Sequence, residues 1–131
     1  MIKLIKNVKV YSPDFLGTKD VLILGDKIAG IEDEIKLKVS CMEVEEIDGT
    51  GKILTPGFID SHVHILGGGG EGGFKTRTPE ITLTTLTKAG VTTVVGTLGT
   101  DGLARDTSAL LAKARGLEEE GITSYIYTGA Y

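Results

Sequence analysis

The chain contains two histidines, His62 and His64, and a single residue separates them. In a β-strand, residues i and i+2 lie on the same face, about 6.5–7 Å apart, so both imidazoles and the Asp60 carboxylate are expected on one side. Zn–N bonds of about 2.0–2.1 Å would let the two rings converge on one metal or on a close metal pair. The spacing therefore predicts half of a metal site. The pattern is also short enough to arise without any metal.

A glycine-rich segment follows the histidines: residues 67–73 are all glycine except Glu71. It begins at the C-terminal end of the histidine strand, where α/β enzymes carry their sites. A phosphate-binding loop is a weaker interpretation, because such loops lead directly into a helix. A flexible loop without function is a further alternative.

The composition excludes some classes of function. The formal net charge is -4 and the basic residues form no stripe, which argues against nucleic acid or an anionic membrane as the partner. No apolar run reaches the roughly 18–20 residues of a membrane helix. The single cysteine, Cys41, cannot form an internal disulfide. A chain with only one cysteine is typical of a reducing compartment, so we expect a cytoplasmic protein.

Residues 1–54 have the alternation of apolar and polar residues that is typical of short β-strands. The dipeptide Gly25-Asp26 lies between two apolar runs and predicts a hairpin. No helical pattern of useful length occurs, so we predict a small all-β domain over residues 1–54. The expected strands cover residues 2–10, 20–24, 27–31, 42–47 and 52–54.

From residue 55 to residue 131, strand and helix patterns alternate. Thr78 is predicted as the N-cap of a first helix, with Pro79 at its first position and Gly90 just after its end. Asp106 is predicted to cap a second helix. The order β-α-β-α-β implies parallel strands with right-handed crossovers, which leaves a doubly wound sheet or the first strands of a (β/α)₈ barrel. The expected strands cover residues 57–64, 91–98 and 122–128.

One long motif connects these features. The string from Gly51 to His64, GKILTPGFIDSHVH, resembles the opening of the amidohydrolase superfamily, in which the part PGFIDxHxH forms the first barrel strand. The later strings GGGGEGG, TRTPE, AGVTTVVGTLGTD, LLAKARGLEEEGI and YTGAY are similar to the bacterial isoaspartyl (β-aspartyl) dipeptidase family. The resemblance covers the whole chain. It implies an α/β fold: the N-terminal part of a (β/α)₈ TIM-type barrel, with about three strands and two helices, preceded by part of a small β-sandwich.

The resemblance also implies an activity. Members of this family hydrolyse dipeptides in which aspartate is linked through its side-chain carboxyl, and they carry a binuclear zinc centre. His62 and His64 would be two ligands of the first zinc. Asp60 is expected to orient a ligand rather than to bind the metal.

Four further residues receive a role from the resemblance. Gly69 and Glu71 in the glycine-rich segment would bind the substrate, with Glu71 holding its α-amino group. Thr100, after the second strand, would contribute to substrate binding. Tyr131 would bind the substrate and polarise the scissile carbonyl as the catalytic donor. Three of these residues also have a simpler interpretation: a solvated loop charge at Glu71, a turn at Thr100 and a packed aromatic at Tyr131.

The family's other metal ligands are a carboxylated lysine, two more histidines and an aspartate, which follow later strands. We therefore expect these 131 residues to be the N-terminal third of a longer enzyme and to be inactive alone. The longer enzyme is expected to be a homo-oligomer that acts on small dipeptides. The alternatives are another amidohydrolase, such as a dihydroorotase or hydantoinase, or a catalytically inactive remnant that serves as a structural or interaction module.

Overall fold

The structure, a computed structural model, describes residues 1–129. Two compact units are present, one from Met1 to Pro56 and one from Gly57 onward. The domain boundary after residue 54 stays a prediction, since the division describes compactness and not independent folding. None of the helices in the described part of the chain is long and apolar enough to cross a membrane.

The first unit is a five-stranded sheet. The first two strands are antiparallel, and the second and third form the hairpin predicted from Gly25-Asp26. The last two strands both pair with the first in parallel. Within residues 1–56 no helix is present, so the all-β prediction is confirmed. The strands are β1 (Ile2–Tyr11), β2 (Phe15–Leu24), β3 (Lys27–Glu32), β4 (Val44–Asp48) and β5 (Ile53–Leu54).

The second unit contains a three-stranded parallel sheet in the order β6-β7-β8. The predicted alternation of strands and helices and the parallel pairing are confirmed. Because the C-terminal ends of parallel strands lie at one edge of a sheet, the segments that follow β6 and β7 meet there. The elements are β6 (Phe58–Val63), α1 (Leu83–Lys88), β7 (Val91–Gly96), α2 (Thr107–Glu119) and β8 (Thr123–Ile126).

The apolar face of α2 forms much of the core of the second unit. Leu110, Ala114 and Leu117 repeat at helical spacing and are all buried, together with Val94 of β7. The carboxylate of Asp106 accepts a hydrogen bond from the Ala109 N–H at 2.8 Å. This bond satisfies one of the free N–H groups at the helix start, and the predicted cap is confirmed.

The predicted start of the first helix at Thr78 is wrong. The helix begins at Leu83 with Thr82 as its N-cap, and Thr78 lies in extended backbone. The backbone groups of Thr78 are used elsewhere: its N–H donates to the Gly68 carbonyl at 2.9 Å and its own carbonyl accepts from Arg105 at 2.7 Å. A residue whose backbone is bound to another segment cannot open a helix with the same groups.

Candidate metal and substrate site

The two histidine side chains lie next to each other at the C-terminal end of β6. Their ring centroids are 5.4 Å apart and their planes are perpendicular. His62 is exposed, and His64, the first residue after the strand, is half-buried. The pairing of β6 with β7 shifts between Asp60 and Val63, so Ser61 and His62 form a β-bulge. Simple alternation therefore does not describe this strand, although the rings still lie together as predicted.

The imidazole of His64 occupies a slot between two glycines. A Cβ atom at Gly99 would lie 3.4 Å from Nδ1 of the ring, and a Cβ atom at Gly68 would lie 3.4 Å from Cδ2. Both distances correspond to close van der Waals contact. The segment after β6 and the segment after β7 therefore both pack against the ring.

Three predicted substrate-binding residues lie beside this slot. The Thr100 hydroxyl donates to the Gly69 carbonyl at 3.3 Å. Hydrogen bonds from the backbone N–H of Glu71 and from the Thr100 hydroxyl lower the pKa of the Glu71 carboxyl, burial raises it, and the charge of His64 lowers it further. The Glu71 carboxylate is therefore ionised at neutral pH. It is exposed to solvent and lies near His64.

The glycine-rich loop is tied to the body of the unit at its base. Arg105 is only 6% exposed. Its Nη1 donates to the Gly68 carbonyl at 3.0 Å, and its Nη2 donates to the Thr78 carbonyl at 2.7 Å. The Thr78 hydroxyl also accepts from the Gly68 N–H at 2.7 Å. One guanidinium therefore holds both ends of the segment that carries Glu71.

A second anchor connects the end of the loop with the segment after β7. The Nε atom of Arg77 lies 2.8 Å from Oδ2 of Asp101, and Oδ1 of Asp101 accepts from the Ala104 N–H at 3.0 Å. The hydrogen bond from Ala104 lowers the pKa of the Asp101 carboxyl, burial raises it, and the charges of Arg77 and Arg105 lower it again. Thr100 directly precedes Asp101, so this ion pair connects both segments of the candidate site.

The two hydrogen bonds from Arg105 to the Gly68 and Thr78 carbonyls, called here the Arg105 clamp, can be tested by substitution. Replacing Arg105 with methionine keeps most of the side-chain volume but leaves the Thr78 carbonyl without its donor and removes one of the donors to the Gly68 carbonyl, at a cost of about 1–3 kcal/mol. Lysine keeps the charge but cannot donate to both carbonyls with the same fork, so Arg105→Lys should lie between wild type and Arg105→Met. Amide hydrogen exchange over residues 67–78 measures the effect. Equal protection in all three proteins would show that the clamp does not order the loop.

The structure brings most of the predicted site residues together. Contacts or charge effects connect His62 with His64, His64 with Glu71, and Thr100 with both Glu71 and Gly69. Tyr131 lies outside the described residues. The individual roles of these residues stay predictions.

Asp60, predicted from the sequence to orient a metal ligand, accepts a hydrogen bond from the backbone N–H of His62 at 3.1 Å, so it contacts the histidine through the main chain and not through the ring. Two further residues at the site were not predicted from the sequence. Arg105 and Asp101 precede the predicted cap of α2, and no sequence pattern assigned a role to either of them. Their partners at Gly68, Thr78 and Arg77 lie more than twenty positions away in the chain, so no local pattern indicates these contacts.

The two histidine rings offer nitrogen donors to a metal ion. Nδ1 of His64 is buried and has no hydrogen-bond partner among residues 1–129, and a buried ring nitrogen is costly unless it is bound to something. Together with the adjacent His62 ring, it fits a pair of metal ligands. Within the described residues, no group of three or more His, Cys, Asp or Glu side chains is placed to hold a metal ion. The histidines thus fit part of a metal site.

The known proteins that are similar to this chain are hydrolases. No protein-family model matches the chain. The crystal structure of the β-aspartyl dipeptidase of Fervidobacterium islandicum AW-1, in complex with the dipeptide β-Asp-Leu, is 52% identical and has a TM-score of 0.91; the match covers 100% of this chain and 34% of that one. The dihydropyrimidinase of Brevibacillus agri NCHU1002 is 30% identical, with a TM-score of 0.62 over 97% of this chain and 27% of that one.

Among curated proteins, the dihydroorotase of Staphylococcus epidermidis is 40% identical over 70 residues, which are 53% of this chain and 16% of that protein. The chain therefore spans about a third of the solved dipeptidase, 34%, and a smaller share of the dihydroorotase. These neighbours combine a TIM barrel with an N-terminal β-sandwich, so the predicted fold class is confirmed. By sequence and by fold, the chain is similar over its whole length to β-aspartyl dipeptidases, and the predicted resemblance to this part of the amidohydrolase superfamily is confirmed.

Proposed function

We propose that the full-length protein containing this chain is a zinc-dependent dipeptidase that hydrolyses β-aspartyl (isoaspartyl) dipeptides. The observation that carries the proposal is the identity of 52% to a β-aspartyl dipeptidase over the entire chain. The grouping of Glu71, Thr100 and Gly69 beside His64 supports it. On this proposal the chain alone has no dipeptidase activity, because too few metal ligands are present in its described residues.

His62 and His64 would hold one zinc of a pair, with further ligands supplied by residues other than those described. When bound, zinc supplies Lewis-acid polarisation of a carbonyl and lowers the pKa of a bound water. The task of this chain is to present two imidazoles side by side at the end of β6. The slot between Gly68 and Gly99 supports the orientation of His64.

The substrate would be held by the glycine-rich loop. The lowered pKa of the Glu71 carboxyl keeps it ionised in neutral and mildly acidic solution, as binding of a positively charged α-amino group requires. Thr100, whose hydroxyl binds the Gly69 carbonyl, would help to hold the loop that carries Glu71 in position. Tyr131 would donate a hydrogen bond to the scissile carbonyl, which stabilises negative charge as it develops on that oxygen.

A cyclic-amide hydrolase is the second candidate, because a dihydroorotase and a dihydropyrimidinase also match the chain. The two candidates differ in the ligand group that Glu71 would meet. A β-aspartyl dipeptide carries a free α-ammonium, whereas a dihydropyrimidine ring carries no such cation.

Glu71→Gln distinguishes these candidates. The change keeps the side-chain size and removes the charge, so we expect kcat/KM for β-Asp-Leu to fall about 100-fold in the full-length, zinc-loaded protein. Glu120→Gln, at an exposed helix end, is the matched control and should retain full activity. Turnover of dihydroorotate or dihydrouracil by wild type, unaffected by Glu71→Gln and without dipeptide hydrolysis, would instead establish the cyclic-amide alternative.

We also propose that the protein works in the cytoplasm as a homo-oligomer. The single cysteine supports a reducing compartment. The oligomeric state rests on the resemblance to the dipeptidase family, and sedimentation of the full-length protein measures it.

A further inference from the structure

We propose that Tyr127 and Asp60 are positioning residues for the metal-ligating histidines: together they hold the backbone bulge at Ser61 and His62 in the form that directs His62 toward His64. The inference rests on the proposed metal-binding role of the two histidines, and it assigns work to two side chains that would touch neither metal nor substrate.

The bulge has an identifiable structural cost. Regular pairing of β6 with β7 is interrupted between Asp60 and Val63, where β6 has one residue more than its partner strand. A bulge removes ladder hydrogen bonds and leaves backbone groups to find other partners. The groups concerned belong to Ser61 and His62.

Two side chains supply these partners. Oδ1 of Asp60 accepts a hydrogen bond from the His62 N–H at 3.1 Å. The hydroxyl of Tyr127 donates to the Ser61 carbonyl at 3.2 Å. One donor and one acceptor of the bulge are therefore bound, the donor by a side chain of the same strand and the acceptor by a side chain that follows β8.

Tyr127 is itself well placed to act as a fixed point. Its backbone N–H donates to the Gly96 carbonyl at the end of β7 at 2.9 Å. Its main chain is thus attached to β7 while its hydroxyl reaches β6. One residue thereby connects the C-terminal ends of all three strands of the parallel sheet, at the edge where the histidines lie.

The two histidines depend on this arrangement to different degrees. His64 is half-buried and lies between Gly68 and Gly99, so packing limits its ring. His62 is exposed, and packing does not fix its direction. The orientation of His62 therefore depends on the backbone of the bulge, which Asp60 and Tyr127 hold.

The experiment measures zinc affinity of the full-length protein by competition with a chelator. Tyr127→Phe removes one hydroxyl and should weaken zinc binding about 10-fold, within the range for residues that orient metal ligands, with little change in thermal stability. Tyr125→Phe is the matched control: Tyr125 lies on β8 and is 61% exposed, and its hydroxyl has no hydrogen bond to another described residue. It should bind zinc as wild type does.

Asp60 provides an independent pair of variants. Asp60→Asn retains an oxygen that can accept from the His62 N–H and should keep zinc affinity near that of wild type, whereas Asp60→Ala should lose about 10-fold. The absorption spectrum of the Co²⁺-substituted protein should change in Tyr127→Phe and Asp60→Ala and not in Asp60→Asn. This spectrum reports ligand geometry without any need for turnover.

Wild-type zinc affinity and an unchanged Co²⁺ spectrum in Tyr127→Phe would overturn the assignment of Tyr127. Equal losses in Asp60→Asn and Asp60→Ala would overturn the assignment of Asp60, since its charge and not its hydrogen bond would then matter. A protein that binds zinc with these dependences but does not hydrolyse β-Asp-Leu would refute the proposed function and leave this inference standing. A wild-type protein that binds no zinc would refute both.

Discussion

Replacing His64 with asparagine should lower the zinc affinity of the full-length protein by more than about 100-fold and abolish measurable dipeptide hydrolysis. The loss of a direct ligand should exceed the 10- to 100-fold typical of residues that only orient ligands. The same change should lower stability by about 1–2 kcal/mol, because the slot between Gly68 and Gly99 is left partly empty. Zinc content after dialysis, chelator competition and thermal unfolding measure these effects.

His62 should behave differently under the same test. Because its ring is exposed, His62→Asn should lose zinc affinity to a similar degree without a change in thermal stability. Ser61→Ala, directly before it, keeps the backbone carbonyl that Tyr127 binds and serves as the control with normal zinc content. Two histidine variants that retain full zinc binding would show that the pair is not a metal site.

Replacing Gly67 with alanine should disrupt the base of the glycine-rich loop. Gly67 has φ of 85°, a conformation that costs an L-residue about 1–2 kcal/mol. A Cβ atom there would also lie 2.5 Å from the Pro79 carbonyl oxygen, collide with the Thr78 carbonyl oxygen and reach Nη2 of Arg105 at 2.9 Å. Backbone atoms cannot move aside cheaply, so we expect a total cost of about 2–5 kcal/mol.

Gly73→Ala isolates the two contributions to this cost. Gly73 has φ of 90°, but no atom lies within 4 Å of its hypothetical Cβ, so only the backbone strain applies. Because the Gly73 backbone, with φ of 90° and ψ of 175°, by itself costs an L-residue about 1–3 kcal/mol, thermal unfolding and hydrogen exchange over residues 67–78 should show an effect for Gly73→Ala and a clearly larger one for Gly67→Ala. Equal effects at the two positions would mean that close approach to Thr78 and Pro79 is unimportant. Gly67→Ala should also reduce dipeptide turnover, because Glu71 is carried by the same loop.

Local patterns in the sequence were enough to predict most of the secondary structure. Alternating apolar residues, the turn at Gly25-Asp26 and the Asp106 cap act over a few neighbouring residues, and the structure agrees with each of them. Helix and strand order then implied a parallel sheet, because short crossovers allow few other topologies. The motif around His62 and His64 could likewise be recognised from the sequence, because both residues belong to one short segment of the chain.

The first helix shows where local patterns fail. Thr78 and Pro79 form a favourable start signal, yet the helix begins at Leu83. The competing interactions come from Gly68, ten positions earlier, and from the Arg105 guanidinium. A contact between residues so far apart in the chain leaves no trace in the spacing of neighbouring residues.

The sequence alone determined the residue types that a site needs: two imidazoles one residue apart, a carboxylate among glycines and a β-α-β-α-β order. The tertiary structure decided how they are held. The bulge at Ser61 and His62, its support by Tyr127 and the slot around His64 all depend on which segments meet at one edge of the sheet. Such meetings are set by packing across the whole unit, which no local periodicity encodes.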